Sequence, residues 1–142
     1  MLNIAATYGV QDKLEESAEY YRRGLEISEA ALGPTHPQVG SALKGLGTVQ
    51  RLRGDTAEAV ATLQRSLELL EANGVAPMSL ADGQATLAHA LWDEGRDLAR
   101  ARELAARARA TFVELGAPAA SDLAELDAWL AEVEPGAVSP SD

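Results

Sequence analysis

Apolar residues recur along this chain at helical spacing. Leu63, Leu67 and Leu70 stand at i, i+4 and i+7, and Leu104, Ala108 and Val113 follow the same stripe less strictly. That spacing marks a helix with one apolar face. No useful stretch alternates with period two and β-branched residues are sparse, so strands are not expected. Punctuation agrees with the stripes. Thr35 with Gln38, Asp55 with Glu58 and Ser79 with Asp82 resemble capping boxes at helix starts. Gly33, Gly74 and Gly116 suit the left-handed residue after a helix end, and Pro34 and Pro118 stop two of those helices from continuing. The pattern predicts helices over about 2–11, 13–32, 36–53, 56–73, 80–94, 98–115 and 119–133, followed by a frayed tail, PGAVSPSD.

The stripes repeat. Leu46, Gly47, Gln50, Gly54, Ala59, Leu63 and Leu67 share their offsets with Ile4, Ala5, Tyr8, Asp12, Ser17, Tyr21 and Leu25 upstream. Downstream the same offsets fall on Leu87, Ala88, Leu91 and Gly95 and, one residue later, on Ala101 and Ala105. The small residues of the first helices advance by 42 and 41 positions, and those of the second helices by 42 and 42. A period of this size means stacked supersecondary units, none of which buries its apolar face alone. The connections QDK, GDT and GRD are short enough to force each second helix back along its first. Ala5, Gly47 and Ala88 then face Ser17, Ala59 and Ala101, so paired axes approach closely.

The stretch Leu-Gly-x2-Gln-x3-Gly-x4-Ala-x3-Leu-x2-Ser-Leu at 46–67 resembles a tetratricopeptide repeat, with Gln50 where that family usually has Tyr; Tyr8 keeps it. The linker LGPTHPQVGSAL at 32–43 is similar to that of the longer kinesin-light-chain-like repeat, LGP-x-HP-x-V-A-x-x-L, with Thr35 for the usual Asp and Gly40 for Ala. The resemblance covers about 2–115. It implies an all-α, right-handed superhelical array of antiparallel helix pairs: repeat 1 over 1–34 with a truncated first helix, repeat 2 over 35–76, repeat 3 over 77–117, a capping helix over 118–134 and a tail over 135–142. The segment TLAHALWDEGRDLARARELAARARATFVELG with SDLAELDAWLAEVEP resembles the end of the repeat region that follows the catalytic domain of many bacterial serine/threonine protein kinases. That resemblance implies the C-terminal part of a larger cytoplasmic signalling protein. The few residues before Ala5 suggest the same truncation, with an apolar upstream face lacking a polar cap.

Composition removes most chemistry. The chain has 142 residues, 12 Lys plus Arg against 22 Asp plus Glu, a net charge of −10 and no cysteine. Such acidity argues against nucleic acid and anionic membranes as partners. Disulfides, thiolate zinc sites and cysteine nucleophiles are excluded. The only lysines are Lys13 and Lys44, and no kinase catalytic motif is present. Gly45-Leu46-Gly47 lies mid-helix without a preceding strand, so it is packing rather than a phosphate loop. His36 sits beside Pro37 in a linker and capping position. His36 and His89 lack i, i+4 partners, which argues against a metal site. A trio of Ser41, His89 and Asp82 carries no signal beyond chance, and Asp93-Glu94 reads as a solvated pair before Gly95. No catalytic residue, metal or cofactor is expected.

What remains is a surface. In tetratricopeptide arrays the first helices line a concave groove, and carrying that over by position gives Asn3, Lys44, Thr48, Arg51, Asp82, His89 and Trp92. An acidic peptide segment would pair with Lys44 and Arg51, and an apolar anchor would rest on Trp92. The set lacks the dense Asn, Lys and Arg pattern with which chaperone-binding repeats grip a terminal carboxylate. Five basic residues fall in 96–109, and 114–142 holds seven acids and no base. The simplest account packs Leu123, Leu126, Trp129 and Leu130 of the last helix on repeat 3, its acids toward those arginines. The expected function is binding of a protein or peptide segment; the rival is self-association, a homodimer through the upstream face.

Overall fold

The computed structural model describes residues 7–133. Six α-helices run through them, α1 (Thr7–Leu32), α2 (Pro37–Leu52), α3 (Thr56–Ala72), α4 (Pro77–Glu94), α5 (Leu98–Leu115) and α6 (Ala120–Val133), with one 3-10 turn at Ala117–Ala119 before α6 and no strand. Each helix packs on its neighbours in sequence, and α2 also touches α4 across one repeat. The expected all-α array of stacked hairpins is therefore what forms. No helix of the described residues is long and apolar enough to cross a membrane.

Turn chemistry decides where hairpins form. Gly54 and Gly95 adopt φ of +93° and +75°, a left-handed region open to glycine at little cost, and there α2 and α4 turn back into α3 and α5. Asp12 holds the same repeat position but lies inside α1, which runs unbroken from Thr7 to Leu32. The separate helices expected over 2–11 and 13–32 are thus corrected to one helix: without a glycine at the turn position, continuing the helix is easier than breaking it. The contact expected between Ala5 and Ser17 lies outside the described residues.

The caps also differ in detail. His36, not Thr35, caps α2, its Nδ1 accepting from the Gln38 backbone N–H at 3.0 Å, with Pro37 opening the helix. Asp55 precedes α3 without a side-chain capping bond. Ser79 lies within the first turn of α4, which begins at Pro77, where proline's fixed φ suits the start of a helix. Gly33, Gly74 and Gly116 have φ of +93°, +60° and +71° after their helices, as expected.

The main core joins α3, α4, α5 and α6 through Leu63, Leu67, Leu87, Leu91, Leu104 and Phe112, interleaved with Ala59, Ala81, Ala88, Ala101 and Ala108. Small residues permit close approach: the nearest side chain to Gly47 is that of Leu63 on α3, and at Gly40 it is that of Leu70. Beside Gly40 the buried Ser66 hydroxyl donates to the Gly40 carbonyl at 2.7 Å, tying α3 to α2. A second cluster, Ala18, Leu46 and Val49 with Leu14, Tyr21 and Leu25, holds α1 on α2. Gln50, where a Tyr is usual, is buried with its Oε1 unpaired. Leaving such a group unmet costs about 1–3 kcal/mol. Gln50→Leu is expected to raise the midpoint of urea unfolding with no change in slope, and a lowered midpoint would contradict the cost assigned to that oxygen.

Helix α6 packs as expected. Leu126 is buried, and Leu123, Trp129 and Leu130 lie partly buried against the core. Arg109 Nε and Nη2 donate to Asp127 at 2.6 and 3.2 Å, an exposed fork that adds little to stability but fixes orientation. Trp129 is only half-buried, so Trp129→Ala should cost about 2 kcal/mol rather than the larger loss of a fully buried ring. An unchanged melting temperature would remove Trp129 from the docking of α6.

Candidate concave interaction surface

Helices α2, α4 and α6 present adjacent turns to a pocket of about 170 Å³. Four of the residues expected in the groove, Thr48, Arg51, Asp82 and His89, line it together. Helical spacing brings them there: Thr48 and Arg51 are three apart on α2, and Asp82, Thr86 and His89 follow at four and three on α4. The Thr48 and Thr86 hydroxyls donate to the carbonyls of Lys44 and Asp82 one turn back, at 2.9 and 2.7 Å. Asn3 lies outside the described residues.

Lys44 and Arg51 are not free cations. Lys44 pairs with Asp82, and Arg51 Nε donates to Asp93 Oδ2 at 2.7 Å. Both pairs bridge α2 to α4, and Arg51 and Asp93 are 42 residues apart, equivalent turns of consecutive repeats. Asp93 is therefore a partner of Arg51, not the freely solvated residue the sequence suggested, while Glu94 lies 3.7 Å from Arg96. Burial pushes the Lys44 amine below its usual value, opposed by the charge of Asp122 across on α6.

Trp92 is not among the residues that line the pocket. Its ring and that of Trp129 lie edge to face with centroids 6.1 Å apart, and the Arg102 guanidinium lies 5.5 Å from its centroid. These neighbours take up part of the Trp92 surface, and the ring stays partly exposed. His89 stacks on Trp129 at 4.1 Å with planes 14° apart, clasping α6 to α4.

Burial first, then the Arg51 guanidinium, push the His89 imidazole down to about 4, with Asp93 opposing. Near neutral pH it is uncharged in both the folded and unfolded chain. As pH falls from about 6.5 towards 4, the unfolded chain binds a proton that the folded one refuses, so stability declines across that window. The decline should be on the order of 2 kcal/mol, and His89→Gln should flatten the dependence of melting temperature on pH there. Equal slopes for the two proteins would contradict the burial of this imidazole.

The other half of the wall was not legible as groove. Asp122, Glu125 and Leu126 come from α6, and Phe112 from α5 forms part of the floor with Ala85. Acids of 114–142 were expected to face arginines; Asp127 does so, while Asp122 and Glu125 line the pocket. Their signal was position: Asp122 lies roughly one repeat after Asp82, so α6 stands where the first helix of a next repeat would. Among the described residues no group of three or more His, Asp or Glu is placed to hold a metal ion.

The model of the tetratricopeptide repeat family matches residues 1–72. No curated protein matches the chain at a significant level. The matched half holds the hairpin of α2 and α3, and α4 with α5 repeats that hairpin at the same period. By this match and this architecture, the chain belongs to the tetratricopeptide repeat family.

Proposed function

We propose that the chain is a non-catalytic interaction module whose α2–α4–α6 face receives a segment of a partner protein. Tetratricopeptide repeats generally mediate protein–protein interaction and are typically non-catalytic. The observation that carries the reading is the pocket shared by Thr48, Arg51, Asp82 and His89, on helices already fixed by two ion pairs. A preformed face loses little entropy on binding. Within the family, the linker at 32–43 supports the kinesin-light-chain-like type. The segment 86–135 supports a regulatory or partner-recruiting role beside a bacterial, cytoplasmic serine/threonine kinase. Peptides selected against the chain from a displayed random library should lose at least roughly tenfold in affinity to Thr48→Trp, which fills the pocket. Undiminished binding would sink the concave-face assignment.

A second reading has its own observation. Tyr20 and Ile27 on α1 are 74 % and 68 % exposed, and nothing lies within 4 Å of a side chain added at Gly24 between them. Ser17, Tyr20, Gly24, Ile27 and Ala31 alternate small and large at spacings of three and four. An antiparallel second copy would set Tyr20 against Gly24 and Ile27 against Ser17. Light scattering over a wide concentration range tests it: a dimer abolished by Tyr20→Glu supports self-association through α1, and a monomer throughout removes it.

A further inference from the structure

We propose that the pocket between α2, α4 and α6 selects a basic side chain, arginine or lysine, from the partner's segment. This rests on the concave-face reading and names the chemistry of its occupant. Three carboxylates, Asp82, Asp122 and Glu125, border the pocket against one cation, Arg51. Counting the partners just outside does not change the sign, because Lys44 offsets Asp82 and Asp93 offsets Arg51. An acidic segment would have to displace both pairs and approach Asp122 and Glu125 as well. A basic one meets carboxylates that no cation of the described residues pairs within 4 Å at Asp122 or Glu125.

Shape agrees with charge. The floor is apolar, made by Ala85, Phe112 and Leu126, and the acids stand around it. A long basic side chain is apolar along its stem and charged at its head, so it lies on such a floor while its head meets the rim. The volume of about 170 Å³ fits one such group, since an engineered cavity of about 150 Å³ holds benzene. Lys44, beside the pocket, keeps only 30 % of its side chain exposed, and charge pairing in such a partly buried setting is stronger than in bulk water.

The test uses two acetylated peptides, one with two arginines flanking an alanine and one with glutamates in their place. Each is titrated into isotopically labelled protein at low salt. The arginine peptide should move the backbone amides of Thr48, Thr86 and Glu125. Asp122→Asn with Glu125→Gln should weaken it roughly tenfold, about two rim charges' worth. Glu58→Gln with Glu71→Gln on α3 removes the same net charge away from the pocket and should change affinity less than about twofold. Equal weakening by both pairs of substitutions would reduce the effect to net charge and overturn the inference. A glutamate peptide that moves the same amides more strongly would overturn it too, while leaving the concave face as the binding surface. If neither peptide moves them the inference falls, and the concave-face reading falls separately only if Thr48→Trp also spares the selected peptides.

Discussion

Phe112→Ala should lower stability by about 3–5 kcal/mol, the range for removing a buried aromatic ring. Phe112 is 2 % exposed and is the only phenylalanine in the chain. Its ring belongs to the main core and also to the pocket floor beside Leu126, so its loss removes support from α6 and opens the groove at once. At about 2–4 °C per kcal/mol for a chain near this size, the melting temperature should fall by roughly 10–15 °C. The damage should be uneven, because each helix leans mainly on its sequence neighbours. Amide exchange should therefore accelerate first in α6 and α5, with α2 and α3 keeping more protection. Phe112→Leu should restore most of the loss. A fall of under about 1 kcal/mol would mean the ring is not the support on which α6 rests.

The same dependence on neighbours explains what could be read from the residues alone. Period and apolar stripe were enough to place α2 to α6, because Gly54, Gly95 and Gly116 mark turns that only a left-handed residue makes easily. The one-helix run through Asp12 escaped the pattern because repeat offsets report kinship between positions, whereas the turn itself depends on the residue there. His36 displaced Thr35 as the cap because Pro37 moved the helix start by one residue.

In the groove, Thr48, Arg51, Asp82 and His89 were legible from register. The pairing of Arg51 with Asp93 was legible in principle, since residues one period apart abut in a stack and these two carry opposite charge. Asp122 and Glu125 carried only a positional signal, Asp122 lying roughly one period after Asp82, and it is the packing of α6 on α5 and against His89 that brings them to the pocket. Net acidity of the chain thus said less about partners than the local balance of charges does.

The tightest test of the stacked-hairpin packing is the contact of Gly47 with Leu63. Leu63 is 1 % exposed, and Leu63→Ala should cost about 3–5 kcal/mol because the stacked helices around it cannot collapse into the space. A Cβ added at Gly47 would lie 2.5 Å from Leu63 Cγ and 2.6 Å from Cδ2, and a side chain so enclosed cannot swing aside. Helix propensity favours Ala over Gly by about 1 kcal/mol, but overpacking costs about 1–3 kcal/mol, so Gly47→Ala should be a net loss. Gly24→Ala, with open space around it, should instead gain about 0.5–1 kcal/mol. In the Leu63→Ala background the clash is gone and the added methyl fills part of the void, so Gly47→Ala should turn stabilising. The coupling between the two positions should reach about 2–3 kcal/mol in a double-mutant cycle read from urea unfolding. Effects that add to within about 0.5 kcal/mol would show that α2 and α3 do not meet through these two residues, and the close approach of paired axes on which the array is built would be wrong.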